Sequence, residues 1–232
     1  MKTLKFKTKI LSLIILTVIS VFIISGCRDN VVNTTADNVD LSAISTIDTT
    51  DVIGILRLDT VKILIKDIKL NVANNNQDSN NFKVGPFVLY LNLQSQINFI
   101  STAYIPAGTY DKVRFMVHKL ENNETPPDPD FVLLNERMSV VVKGSYNNVP
   151  FIYRSTKSAH QKLSFPNSLQ VSETGKSNIT LKVSPYIWFI ENGVYLDPTD
   201  EDNRNNIDNN IKNNINNNFK IFVDNDRNGN PD

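Results

Sequence analysis

The stretch VKILIKDIKLNV, residues 61–72, places apolar side chains at alternate positions. Val61, Ile63 and Ile65 share one phase, and Ile68, Leu70 and Val72 take up the other after a slip at Lys66-Asp67. Side chains alternate across a β-strand with a period of two, so this pattern makes a half-buried strand, and the slip marks a β-bulge or bend. The texture recurs along the chain. FVLYLNL (87–93) sets Phe87, Leu89, Leu91 and Leu93 on one face. Residues 96–120 read as strand, turn, strand around Pro106-Ala107-Gly108. RMSVVVKGSYNNVPFIYRS (137–155) reads as a hairpin turning near Tyr146-Asn147-Asn148, and residues 162–190 hold two or three further strands. Short strands at near-regular spacing, with no long amphipathic helix between them, predict a mainly β fold: an antiparallel β-sandwich over 52–196. Val61, Ile63, Leu89, Leu91, Phe115 and Leu181 are its expected inward-facing residues.

Two stretches inside this region carry a resemblance. YIPAGTYDKVRFMV (104–117) resembles the strand-turn-strand signature of a family of bacterial lipoproteins whose domain has no assigned function. LSFPNSLQVSETGKSNITLKV (163–183) is similar to that family's second landmark, a pair of strands joined by a Gly turn. The resemblance implies a prealbumin-like or Ig-like sandwich, akin to carbohydrate-binding domains, and brings no catalytic residue with it. The turn chemistry reads the same way: Pro106 presets the turn, and Tyr110 packs its ring at the core edge with its hydroxyl bonded to backbone.

The N-terminus gives an address. Lys2, Lys5, Lys7 and Lys9 precede an uncharged, mostly apolar run from Ile10 to Ile24. That run has the length of a signal-peptide core and falls short of the ~20 residues a spanning helix needs. It ends in Ile24-Ser25-Gly26-Cys27, which resembles the bacterial lipobox and contains the chain's one cysteine. In such a sequence the thiol is alkylated by diacylglycerol and cleavage leaves Cys27 first. Residues 1–26 are thus read as a lipoprotein signal peptide and 27–51, rich in Asn, Asp, Thr and Ser, as a flexible tether. Each buried methylene contributes about 0.8 kcal/mol, so two or more acyl chains anchor stably without a spanning helix. Arg28 after the cysteine leans the expectation toward the outer membrane.

Removing the signal takes four lysines from 24 basic residues and none from 24 acidic ones, leaving 20 against 24 and a net charge of −4. Nucleic acid needs a basic footprint and is an unsuitable partner for such a chain. With Cys27 acylated, no thiol remains for a disulfide or a thiolate metal site. The two histidines, His118 and His160, fall in no catalytic motif. Trp188, in YIWFI, is expected in the core.

The last segment, 197–232, carries the most specific chemistry. Ile207, Ile211, Ile215 and Phe219 recur every fourth residue and line one face of a short, Asn-rich helix, with Asp200 or Thr199 as N-cap. VDNDRNGNPD follows. Asp224, Asp226 and Asn228 fall at positions 1, 3 and 5 of an EF-hand-like loop, Gly229 at 6 and Asp232 at 9, with Asn230 between them. Ca2+ takes six to eight oxygen ligands, so the expected metal set is Asp224, Asp226, Asn228, Asn230 and Asp232. The glutamate of position 12 is missing, and Asp197, Asp200 or Asp202, the terminal carboxylate, or water are the substitutes considered. An Asx-rich tail that binds nothing is the rival reading.

The reading is therefore a non-enzymatic, lipid-anchored envelope lipoprotein whose sandwich binds a glycan or an envelope protein. A structural or adhesive subunit of fimbrial type and a glycoside hydrolase are the alternatives. Mass spectrometry of membrane-extracted protein is expected to find diacylglycerol on an N-terminal Cys27, and Cys27→Ala to abolish it. A free Cys27 thiol in that fraction would overturn the lipobox reading.

Overall fold

In the computed structural model, which describes residues 36–46, 54–74 and 79–232, the chain enters a sheet inside the segment expected to be a tether. Strand β1 (Val39–Ser45) is buried along its whole length. Val39, Leu41 and Ala43 join the core, while Asp40, Ser42 and Ile44 lie on the opposite face. The 27–51 tether is thus corrected for its described part. The Val-x-Leu-x-Ala alternation supplies a core face, and distant residues satisfy the polar positions between.

The remaining strands follow the alternation. They are β2 (Leu56–Val72), β3 (Ser79–Leu91), β4 (Asn98–Ala103), β5 (Gly108–Val117), β6 (Val132–Leu133), β7 (Glu136–Arg137), β8 (Val140–Tyr146), β9 (Val149–Ser155), β10 (Ala159–Val171), β11 (Ser177–Val183), β12 (Ile190–Glu191), β13 (Val194–Tyr195) and β14 (Lys220–Val223). One sheet runs β14-β11-β1-β4. The other runs β10-β5-β2-β8-β9, with β3 also paired to β2. Among the described residues the ladders are antiparallel save one: β1 runs parallel to β11, a departure from the all-antiparallel expectation. Residues of both sheets share one hydrophobic core, and Val61, Ile63, Leu89, Leu91, Phe115 and Leu181 all belong to it.

The slip at Lys66-Asp67 is where β2 changes neighbours. Leu56–Ile63 pairs with β8 and Ile65–Val72 with β5, and the β3 ladder shifts register between Ile65 and Asp67. The extra residue bends the strand, so one strand serves two diverging partners. The β8–β9 turn at Asn147 and Asn148 has φ of 48° and 64°, the left-handed pair of a tight two-residue hairpin. Between β4 and β5 the chain crosses from one sheet to the other. The Tyr110 hydroxyl holds that corner by donating to Pro106 O at 2.9 Å, and the Asn38 side chain brackets Ile105 with bonds to its N–H and C=O.

PYIWF was expected to continue a strand. Pro185–Phe189 is instead a 3-10 turn, opened by Pro185, that buries Trp188 and Phe189 completely. Helix α1 (Arg204–Asn217) follows a 3-10 turn at Glu201–Asn203, whose cap is Asp200: its carboxylate accepts from Asp202 N at 3.0 Å. Ile207, Ile211 and Ile215 are fully buried, and Phe219 stacks on Phe115 at 5.9 Å. Asparagine is a poor helix former, so docking of this face stabilises the helix. The helix and β14 are integral to one unit spanning Ala36–Asp232, rather than an appendage to a 52–196 domain. No helix among the described residues is long and apolar enough to cross a membrane.

On the outer face of β2 and β8, Leu64, Leu120, Phe131, Met138 and Val141 form a second, smaller cluster. A charge network closes it. Lys62 donates to Asp128 and Asp130, each at 2.7 Å; Lys143 reaches Asp130 at 2.7 Å, and the Tyr90 hydroxyl donates to Asp128. Burial opposes ionisation of Asp128. The bonds from Lys62, Tyr90 and Asp130 N outweigh it and hold the carboxyl down to about 2. Burial likewise opposes the Lys62 charge, and its bonds to Asp128 and Asp130 still raise it to about 12. A depressed folded-state pKa stabilises above the unfolded value and loses that contribution as pH falls through the folded one. Urea unfolding from pH 5 to pH 2 should therefore show wild type losing on the order of 1–2 kcal/mol that Asp128→Ala lacks throughout. Parallel pH profiles for the two proteins would refute this role.

Candidate metal centre

The C-terminal loop leaves β14 at Asp224 and folds back over the outer face of the β14-β11-β1-β4 sheet. Alternation on β11 explains why that face is polar. Ile179, Leu181 and Val183 fill the core, which leaves Asn178, Thr180 and Lys182 outward. Thr180 Oγ1 donates to Asp224 Oδ2 at 2.7 Å, Asn178 Nδ2 donates to Asp224 O at 2.8 Å, and Ser42 Oγ donates to Asn178 Oδ1 at 2.8 Å. Asp224 is 0% exposed and is the anchor of the loop.

The loop then curls around that carboxylate. Asn228 N–H donates to Asp224 Oδ1 at 2.9 Å and Gly229 N–H to Oδ2 at 3.2 Å. Asp226 accepts from Asn228 N at 3.2 Å and from Asn228 Nδ2 at 2.7 Å. Asp232 Oδ2 accepts from Asn225 N at 2.9 Å and Nδ2 at 2.8 Å, which draws the final residue back to the loop's start. One oxygen each from Asp224, Asp226 and Asp232 come within 4.8 Å of one another. Asp224 is buried and the other two are exposed.

Three of the five expected ligands are thus brought together. Asn228 Oδ1 accepts instead from Asn230 N at 2.8 Å, and Asn230 Nδ2 turns to Asn228 O at 3.5 Å. Two of the substitutes considered for position 12 are used elsewhere: Asp197 accepts from Thr199 N and Oγ1, and Asp200 caps the turn before α1. An all-carboxylate oxygen set suits a hard divalent cation of the Ca2+ or Mg2+ kind over a thiophilic one. Unneutralised, each pair of carboxylates at this spacing repels by about 1 kcal/mol even in a water-like dielectric.

Sequence reasoning missed the residues that hold the loop down. Arg227 has φ of 56°, a left-handed non-glycine residue, and its guanidinium pairs with Asp40 on β1. Lys176, just before β11, reaches the same carboxylate at 3.0 Å. The outward parity of Thr180 on β11 was the one available signal for its role. Cys27, the expected lipidation site, lies outside the described residues. Comparison with protein-family models, with curated proteins and with solved structures finds no match to this chain.

Gly229 is the loop's tightest point. Its φ is +83°, and a Cβ there would meet Ile44 Cδ1 at 2.8 Å. Gly229→Ala combines a left-handed backbone penalty with overpacking, so it is expected to lower stability by about 1–3 kcal/mol in urea unfolding. Alanine at the exposed neighbour Asn230 should shift it by less than about 0.5 kcal/mol. Equal effects at the two positions would show that the close approach does not hold in solution.

Proposed function

We propose that this chain is a non-enzymatic, lipid-anchored lipoprotein of the bacterial envelope, a prealbumin-like β-sandwich that binds a glycan or protein ligand and carries one structural Ca2+ in an EF-hand-like C-terminal loop. The observation that carries the metal half is the convergence of Asp224, Asp226 and Asp232. Its support is the folding of backbone N–H groups from positions 5 and 6 onto the position 1 carboxylate, which turns the loop around a common centre. The residues that would hold the ion are those three aspartates. The ion would offset their mutual repulsion and tie the last residue to the end of β14.

The non-enzymatic half draws on how the other carboxylates are used. Asp128 and Asp130 are tied to Lys62 and Lys143, Asp208 accepts from the Tyr153 hydroxyl at 3.0 Å, and Asp40 is paired with Arg227 and Lys176. These acids hold elements together. The Tyr153 hydroxyl is itself pushed far above its usual range, by burial first and by Asp208 second, so it stays a neutral donor.

Calorimetry on the full chain in mild detergent tests the metal. A loop with few protein ligands should bind with Kd on the order of 10⁻⁴ to 10⁻³ M. At calcium 100-fold over Kd the folded state gains about 2.7 kcal/mol, which in a domain of this size raises Tm by about 5–10 °C. Asp226→Asn with Asp232→Asn alters the two exposed carboxylates only, and should abolish both the heat and the shift while the apo protein melts no lower than before, because their repulsion is relieved. No calcium heat and no shift in wild type would leave the loop a polar terminus.

A further inference from the structure

The outward face of β2, β5 and β10 lines up three cations. Lys69 stands opposite Arg114, and Arg114 opposite Lys162. Neighbouring strands lie about 4.8 Å apart, so the row sets three cationic residues on backbone positions spanning roughly 10 Å. Like charges directly opposite each other destabilise a sheet. None of the three is in an ion pair among the described residues, and Arg114 Nε donates to the neutral Asn71 Oδ1 at 2.9 Å. A groove of about 320 Å³ opens over the row, bordered also by Asp67, Met116 and His160.

Lys162 lines a second groove as well, of about 440 Å³, where β10 meets β14. Its companions there are Lys182 and Lys220, again directly opposite each other, with Leu163, Pro166 and Pro231 as apolar wall. Five cations therefore follow one path from one sheet to the other. Lysine on edge strands discourages pairing with other chains, and β10 and β14 are edge strands. That role does not account for Lys69, Arg114 and Lys182, which sit on the inner strands β2, β5 and β11.

From this path we infer that the two grooves form one binding site for an anionic glycan, a sugar chain bearing carboxylates. The inference rests on the ligand-binding reading above and names its site and ligand class. Repeated carboxylates answer the repeated cations, the apolar walls suit the C–H faces of pyranose rings, and Asp67 and His160 can bond hydroxyls. Single-stranded nucleic acid would want exposed aromatic platforms, whereas Phe219 and Phe222 in the second groove are buried. Lys162 belongs to both grooves and joins them.

The test uses the full chain in mild detergent on immobilised hyaluronan and, without added calcium, polygalacturonate. Carboxyl-reduced forms of both, single-stranded DNA and phosphatidylglycerol vesicles complete the panel. Wild type is expected to bind the two acidic glycans, less tightly as salt rises, and to ignore the reduced forms. Lys69→Gln, Lys162→Gln and Lys220→Gln together should weaken binding tenfold or more, with Tm unchanged or raised because repulsion is relieved. Arg57→Gln with Lys157→Gln removes two cations elsewhere and should leave affinity intact. Failure of both acidic glycans to bind, or equal binding by the triple variant, overturns the inference. Equal binding of DNA or vesicles also overturns it, since the face is then a generic polyanion surface. Binding of the reduced glycans alone overturns it too, while leaving the ligand-binding reading in place.

Discussion

Asp40 is a carboxylate at 1% exposure on a strand buried on both faces. A charge so placed destabilises the fold unless it is paired and hydrogen-bonded. Its partners are Arg227, in the acidic loop near the C-terminus, and Lys176, at the entry to β11. The strand that carries Asp40 stands between β11 and β4. Without β1 that sheet would divide into β14-β11 and a lone β4, and the core would lose Val39, Leu41 and Ala43. An ion pair across 187 positions thus ties the first described strand to the last loop. Removing both partners would leave a buried charge uncompensated, which is the costly way to break such a pair, and removing one would leave a single cation to offset it.

The same face shows how polar residues can specify a strand's neighbours. Ser42, Asn178, Thr180 and Asp224 form a hydrogen-bonded chain from β1 across β11 into the loop. Each member is buried, so each would be destabilising alone and is satisfied only in this register. The register is the one in which Ser42 stands opposite Thr180 in the parallel β1–β11 ladder. A shift of one residue would aim these groups into the apolar core. This accounts for a parallel pair among otherwise antiparallel ladders of the described residues: β1 is placed by side-chain chemistry on its outer face as much as by its apolar inner face.

What could be read from sequence follows the range of the interactions. The β2 bulge, the Asn147-Asn148 turn and the isoleucine face of α1 are set by residues within a few positions of one another, and all were legible. The Asp224–Asp232 spacing was legible for the same reason, since the loop closes on itself within nine residues. β1 was not. VDLSAIS has a weak three-residue apolar phase, and the partners of Asp40 and Ser42 lie more than 130 residues away. PYIWF misled for another reason: its composition is that of a strand, but Pro185 presets a 3-10 turn that packs Trp188 and Phe189 beneath α1. The basic path was invisible too, because Lys69, Arg114 and Lys162 become neighbours only through strand pairing.

The acidic loop and the basic path are not independent. Lys220 opens β14 and Asp224 directly follows its end, four residues apart and about 13 Å along an extended chain. At physiological salt the screening length is about 8 Å, so direct attraction between the two sites is small. Their link is covalent instead. Pro231 lines the second groove, and it lies between Asn230 and Asp232, inside the loop that closes when Asp232 is drawn back to Asn225. An ion that holds Asp232 in place therefore also holds one wall of the groove. Pre-forming that wall reduces the ordering entropy that a ligand would otherwise have to overcome. Cation at the loop and anion in the groove would then favour each other without touching, each by the same factor, as linkage between two sites on one body requires.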